Sequence, residues 1–534
     1  MIAAAKDYES LGAISNTAEP PPTIAKPTED TRRGLFAARQ ETLALAGVLA
    51  VALAVRLWAV LTQTYILYPD ETYQYFEPAH RLAFGYGIVT WEYLDGIRSW
   101  LFPGAIAGLM RIAAVFSGQP QTYVMLVRLV SIALSLAVPY VGFRLADRHF
   151  GCGPAVAVGL LCAFWYELIY YAPVAMTEEP AAHLALLALW LGEPFADRPE
   201  LPSRRLALAG ALFGLAVCLR YQYGPALAAA ALWQHVGDRR RLLLVGGAGL
   251  AVVAAGSGLL DALTLGAPFQ SIWLNFQRNA VDGMSGAMGV EPWFYLAAYF
   301  LVAWGAFFPL FVVLAVVGAT RAPAFAVAVV MTIVLHSLTP HKEVRFIYLA
   351  IATAPILIGL GCARLLTLPM LRRHPVTAAA TGILVMLLPV ADAMAARAHV
   401  LPAEAWRIDR STTRAFLAAN TTPNVCGVGV SEFWVYRTGG YTYLHRDVPM
   451  YFETFERAQH VDGLDNRLAI SVMRGGEDVP QYPDADFAAA SRRFNLLIAP
   501  ENGALPGFSR MGCYGKDTLG HAEICLFRRP GGCL

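Results

Sequence analysis

TLALAGVLAVALAVRLWAVLTQTYILYPDE, residues 42–71, holds the central feature of this chain, a long apolar run that ends abruptly in carboxylates. From Thr42 to Thr62 the only charge is Arg56. That is enough for a helix across a hydrocarbon core of about 30 Å, which needs about 20 residues. Tyr68-Pro69-Asp70-Glu71 then sets two acidic groups at the mouth of the span. Counting this run as 41–66, further apolar stretches follow at 122–145, 153–172, 181–196, 206–221, 224–236, 242–265, 292–317, 322–339, 345–366 and 376–398. These eleven spans predict an α-helical polytopic membrane protein. The 534 residues are 57% hydrophobic and 15% charged, where a soluble domain is nearer a quarter charged.

The break at Arg220-Tyr221-Gln222-Tyr223-Gly224 makes 206–236 either two short helices or a re-entrant hairpin. Short loops give the orientation, because Lys and Arg are retained on the cytoplasmic side. Arg32 and Arg33, Arg144 and Arg148, Arg204 and Arg205, Arg239 to Arg241, Arg321, and Arg372 and Arg373 all fall on one side. Eleven spans then place the N-terminus inside and the C-terminus outside. Asp70, Glu71, Glu77, Glu92, Glu178, Glu179, Glu291 and Glu343 fall on the outer side, the ordinary complement of an Arg-rich inner face. Segments 72–86 and 100–116 read as helices lying at the outer interface, which suits work on a lipid headgroup.

Three regions follow: a disordered cytoplasmic tail at 1–40, a membrane domain at 41–398, and a small extracytoplasmic α/β domain at 399–534. The last shows strand-like runs at 425–430, 433–436 and 494–499 and a turn signal at Gly439-Gly440. Cys152, Cys162, Cys218 and Cys362 lie in or beside apolar segments and carry no metal spacing. Cys426, Cys513, Cys525 and Cys533 fall in the polar C-terminal region, consistent with disulfides of undetermined pairing in an oxidising compartment. A net charge of +2 gives no concentrated basic footprint, which argues against nucleic acid as a partner. Lys appears only at Lys6, Lys26, Lys342 and Lys516 amid abundant Arg, Ala and Gly. That bias suggests a GC-rich bacterial source, with an inner-membrane protein facing the periplasm; in a eukaryote the membrane would be that of the ER.

The first outer loop carries the densest chemistry: Tyr68-Pro69-Asp70-Glu71-Thr72-Tyr73-Gln74, Glu77 and His80, Thr90-Trp91-Glu92-Tyr93, and Arg98-Ser99. Carboxylates that take a proton from a hydroxyl, beside aromatic faces that hold sugar rings, make a carbohydrate site. The same composition also describes a solvated loop whose Trp and Tyr belong to the interfacial aromatic belt. Glu179 and His183 have the i, i+4 spacing of metal ligands, but no third ligand stands at a defined spacing, so no metal and no cofactor is expected.

Pro69-Asp70-Glu71 after the first span, with Glu77, His80, Gly85-Tyr86-Gly87, Thr90-Trp91-Glu92-Tyr93 and Arg98-Ser99, closely resembles glycosyltransferase family 22. These are the Alg9-like, polyprenyl-phosphate-mannose-dependent α-mannosyltransferases of N-glycan and GPI-anchor assembly, which have the GT-C membrane fold. His341-Lys342-Glu343-Val344-Arg345-Phe346-Ile347-Tyr348 is similar to the family's second signature, and Gly289-Val290-Glu291-Pro292-Trp293-Phe294-Tyr295 to a third pattern. Arg56 also fits. The resemblance covers roughly 45–366 and stops short of the C-terminal region. Tyr68 stands where many members have His, Leu349 where Pro is frequent, and Arg220-Tyr221 where Arg-Pro is common.

The resemblance implies an inverting transfer of a hexose, mannose as the best match, from a polyprenyl-phosphate donor to a glycan or glycolipid acceptor, giving an α-linked product. Asp70 would be the catalytic base on the acceptor hydroxyl. His341, Lys342 and Arg345 would supply positive charge to the departing phosphate, and Glu71, Glu92 and Arg98 would contact substrate. An intramembrane charge such as Arg56 marks a functional position by default, either snorkelling outward or pairing with a carboxylate. Two other readings stand beside this one: a GT-C transferase of a pentose or aminosugar to lipid A or a wall polymer, and a transporter of lipid-linked glycans. The paired inverted halves usual in transporters are not visible in the sequence.

Overall fold

Backbone polar groups in lipid have no water to bond, so apolar runs close their hydrogen bonds internally as helices. The computed structural model describes residues 29–62, 68–194, 200–368, 375–402, 405–431, 438–452, 471–474, 477–479, 487, 491–516 and 522–533. It divides into two units, Met1–Ala44 and Leu45–Leu534. Among the described residues, five helices are long and apolar enough to cross a membrane: Ala38–Thr62, Pro120–Phe150, Arg239–Thr264, Tyr295–Ala319 and Val344–Leu366. Shorter apolar helices run over Leu101–Phe116, Cys152–Phe164 and Pro323–Ser337. The 206–236 region forms two helices, Ser203–Leu219 and Gly224–His235, joined by a 3-10 turn at Tyr221–Tyr223. Glu178–Gly192 takes up 181–192 of the expected 181–196 span, whose last two residues lie outside the described ones, and Pro375–His399 covers the last span.

These helices differ in their surroundings. The most apolar 18 residues of Val344–Leu366 are 94% buried, against 17% for Arg239–Thr264, so the former is the hub of the bundle and the latter lies at its edge. Glycines set the closest approaches. A methyl group on Gly318 would overlap the Leu357 carbonyl and one on Gly361 the Leu314 carbonyl. Gly210 and Gly214 meet the Val245 and Gly249 carbonyls in the same way. Small residues at such crossings let backbones pack where lipid offers no hydrophobic drive.

Arg56 neither snorkels nor pairs with a carboxylate. It is fully buried, and Nε donates to Ser135 Oγ at 3.0 Å while Nη1 donates to the Ala52 and Ala163 carbonyls at 3.1 Å each. Its charge is solvated by helix dipoles, and three helices are tied together at that point.

The C-terminal region is α/β. A five-stranded sheet runs Met450–Phe452, Val428–Val430, Leu496–Pro500, Glu523–Arg528, Ser509–Lys516. The first three strands are mutually parallel and the last two antiparallel, with Gly429 opposite Tyr451 on one side and Leu497 on the other. The helix Arg410–Thr421 packs on this sheet. Disulfides join Cys426 to Cys533 and Cys513 to Cys525. The expected strand at 433–436 lies outside the described residues. Gly439-Gly440 is not a loop turn, since Gly440 opens the short helix Gly440–Leu444 with a φ of 55°.

Candidate active site

Pro69 and Asp70 lead the chain from the first span into a π-helical turn, Glu71–Phe76, that continues as the helix Glu77–Phe84. This arrangement leaves the Asp70 side chain 29% exposed while residues 71–80 are all buried. The second block begins at a loop and ends in the 3-10 turn Val344–Ile347 at the head of the central helix. Two motifs 275 positions apart thereby meet, as the Arg345 guanidinium donates through Nη2 to Asp70 Oδ2.

Arg345 is the centre of an ion cluster. Nη2 also reaches Glu343 Oε1 at 2.9 Å, Nε stands 3.9 Å from Glu178 Oε1, and the group lies over the Tyr68 ring at 4.6 Å. Glu178 in turn takes an ion pair from Arg220 Nη1 at 3.1 Å. Phe346 packs against both guanidiniums, 4.8 Å from Arg220 and 5.5 Å from Arg345. Burial alone would raise the Glu343 carboxyl, but Arg345 and the His341 ring, whose Nε2 donates at 3.1 Å, hold it down at about 2.

The other sequence-predicted residues divide between this cluster and its supports. Lys342 does not face Asp70. Its ammonium is buried and donates to the carbonyls of Glu291 at 2.8 Å, Thr339 at 2.5 Å and Pro340 at 3.3 Å, which fastens the 339–345 loop to the 289–295 motif. Glu71 turns away from Asp70 and accepts the Ala175 N–H at 3.0 Å, next to the Met176-Thr177-Glu178 turn. Burial raises the Glu71 carboxyl, against the opposing pull of Arg128 and that N–H. Glu92 accepts from Gln74 Nε2 at 3.0 Å, and burial raises it too, with Arg98 opposing. Arg98 lines a pocket together with Tyr75, Tyr93, Thr177, Arg220 and Asn275.

Glu178, Arg220 and Glu343 join the cluster without having stood among the sequence-predicted site residues. The signals for them were the carboxylates at a helix start and the Arg at a helix break. Glu77 and His80, by contrast, serve the C-terminal segment: Glu77 Oε1 accepts both the N–H and the hydroxyl of Thr442 at 2.6 Å, and His80 Nε2 lies 2.9 Å from His445 Nδ1. For a metal, the cluster with ligand spacing among the described residues is Cys513, Glu523 and Cys525, whose two sulfurs are already joined. His183 Nε2 faces the Tyr348 hydroxyl at 3.3 Å.

A bundle of this architecture, with an acid–arginine cluster at the mouth of its central helix, is a GT-C membrane fold. The structure is similar to ArnT from Cupriavidus metallidurans bound to undecaprenyl phosphate, with a TM-score of 0.60 over 92% of this chain and 98% of that one, at 14% identity. Residues 48–445 match the Alg9-like mannosyltransferase family, and the chain belongs to that family. It is an integral multi-pass membrane protein. Relatives include GPI mannosyltransferase 3 of Yarrowia lipolytica, 30% identical over 56% of this chain and 59% of that protein. GPI mannosyltransferase 3 of Drosophila melanogaster is 37% identical over 27% of this chain and 26% of its own length. Mannosyltransferase APTG1 of Arabidopsis thaliana is 28% identical over 58% and 56%. The chain thus spans just over half the length of the longest-matching relatives. The family match runs on to 445, past the 366 expected from motifs, and takes in the segment at Thr442–His445 that bonds to Glu77 and His80.

Proposed function

We propose that the protein is an inverting α-mannosyltransferase that takes mannose from a polyprenyl-phosphate donor and passes it to a glycan or glycolipid hydroxyl on the extracytoplasmic face. The single observation behind this reading is the half-open Asp70 carboxylate held by Arg345. One base acting on the acceptor hydroxyl suits a single displacement with inversion. Asp70 takes the acceptor proton as the hydroxyl oxygen attacks the anomeric carbon, and the lipid phosphate departs with the bonding electrons. Arg345 orients Asp70. His341 and Lys342 hold the loop that presents it, through Glu343 and through the Glu291, Thr339 and Pro340 carbonyls. Arg98 meets substrate from the pocket wall, and Glu71 and Glu92 brace the surrounding loops from buried positions.

Incubating the purified protein with polyprenyl-phospho-mannose and membrane lipid extract should yield an α-mannosylated product. Failure to form one, or transfer only from a nucleotide sugar, would sink this reading.

A further inference from the structure

Two carboxyl groups inside the bundle take no part in the ion cluster. Glu167 and Asp392 fall within the expected 153–172 and 376–398 spans and are 1% and 0% exposed. An acid so placed is costly and marks a functional position by default. The first of these spans is not one helix. The helix Cys152–Phe164 stops at Trp165, whose backbone is extended, and the six-residue helix Tyr166–Tyr171 carries Glu167. Asp392 stands on the helix Pro375–His399, and its Oδ2 accepts the Tyr166 N–H at 2.9 Å.

The side chains of Glu167 and Asp392 are hydrogen-bonded to each other. Ionised carboxylates can only accept, so a bond between two carboxyl groups exists only when one of them holds a proton. Glu167 Oε2 and Asp392 Oδ1 are enclosed, and among the described residues no N–H or O–H donor reaches either. Two bare negative charges side by side in an apolar interior would repel with nothing to offset them, whereas one shared proton satisfies both.

The short helix that carries Glu167 faces two ways. Toward the C-terminal region, the Tyr166 hydroxyl donates to the Leu401 carbonyl at 3.1 Å and the Tyr170 hydroxyl to the Ala405 carbonyl at 3.0 Å. Toward the ion cluster, the Tyr171 ring lies 5.3 Å from that of Tyr348, and its hydroxyl is hydrogen-bonded to Tyr68, the ring on which the Arg345 guanidinium rests. The acid pair is therefore one short helix away from the partner of Asp70.

We propose that Glu167 and Asp392 share one proton, and that this bridged pair is a positioning element of the transferase site, fixing the Tyr166–Tyr171 helix so that Tyr171 and Tyr68 hold Arg345 against Asp70. The positioning role rests on the reading of the chain as a lipid-linked mannosyltransferase; the shared proton does not.

The test uses the full-length protein in lipid nanodiscs. Infrared difference spectra between the wild type and Glu167→Gln/Asp392→Asn should show the loss of a protonated-carboxyl carbonyl band, and an unchanged spectrum overturns the shared proton. Asp392→Ala removes the partner of Glu167 and of the Tyr166 N–H, so turnover should fall about 10–100-fold while the KM for polyprenyl-phospho-mannose changes less than about threefold. The double amide keeps a neutral hydrogen bond in the same place and should recover most of that turnover. Tyr171→Phe should lower turnover in the same manner, and combining it with Asp392→Ala should cost much less than the two losses multiplied, because both act along one path. Full turnover in Tyr171→Phe, or losses that simply multiply, overturns the positioning role. If Asp392→Ala does not fold, the spectrum of the double amide still decides the proton and Tyr171→Phe still decides the positioning. The band is read without turnover, so a protein that shows it yet transfers no mannose would refute the proposed reaction and leave the proton-bridged pair standing.

Discussion

Asp70 and Arg345 form a pair in which each residue governs the use of the other. The carboxylate is open enough to meet a hydroxyl, and the guanidinium is fixed by Glu343, Glu178 and the Tyr68 ring. Asp70→Asn keeps the shape but cannot accept a proton, so turnover should fall by about 10²–10⁴-fold with the melting temperature little changed. Near-full activity in that variant would remove Asp70 from the role of base. Glu343 offers a test of the electrostatics. Its folded carboxyl is depressed from 4.5 to about 2, so its contribution to stability is complete above the unfolded value and is lost as pH falls from there toward 2. Wild-type protein should therefore lose at most about 3 kcal/mol over that interval that Glu343→Gln does not lose. Melting curves of both proteins from pH 6 to 3 check this, and parallel curves would contradict the assigned coupling.

At the level of elements, the Glu77–Phe84 helix is a dock. Glu77 satisfies the Thr442 N–H and hydroxyl and also the Ile88 N–H at 3.0 Å, while Tyr123 donates to the Thr442 carbonyl. The strand Gly87–Val89 adds an antiparallel pairing with Ser471–Arg474. Removing the carboxylate in Glu77→Ala leaves buried donors without acceptors, at about 1–3 kcal/mol each. We expect a stability loss of about 2–5 kcal/mol, and proteolysis of the 438–445 segment in the variant at protease levels that leave the wild type intact. Equal protease resistance would show that the dock is held by other contacts. The family motif at Glu77 and His80 is thus explained by architecture. Those residues brace the loop that carries Asp70 by holding a segment 365 positions away.

For the whole molecule, the governing question is which face of the membrane the cluster occupies, because a lipid-linked donor and Asp70 must share a leaflet. The Arg-rich loops predict that Asp238 lies inside and that the C-terminal sheet, with its disulfides, lies outside. Gly440 is a poor labelling site for testing this, since any side chain there would collide with Glu77. Asn502 is exposed and lies in a turn after the Leu496–Pro500 strand. With native free cysteines blocked, an impermeant thiol reagent on intact cells or sealed, correctly oriented vesicles should label Asn502→Cys and spare Asp238→Cys. The reverse pattern would invert the topology and make the donor a cytoplasmic-face molecule.

The membrane class, the helices and the two motif blocks were legible in the sequence because they rest on local quantities: the length of an apolar run, the sign of loop charges, and short ordered strings such as Pro69-Asp70-Glu71 and His341-Lys342-Glu343. Apolar length determines helix in lipid with little reference to the rest of the chain. What each polar residue does was not legible in the same way. Lys342 and Arg345 are three positions apart in one motif, yet one ammonium is caged by carbonyls and the other guanidinium reaches Asp70. Glu71 adjoins Asp70 and points into the bundle. Glu178 and Arg220 were not read as a pair and became partners only when two separate helix ends met. The pairing Cys426–Cys533 likewise depended on a sheet that brings residues 107 positions apart together. A charged group's role is set by the partner within about 4 Å and by the water around it, and for Asp70, Glu178 and Arg220 the packing of distant helix ends supplies that partner.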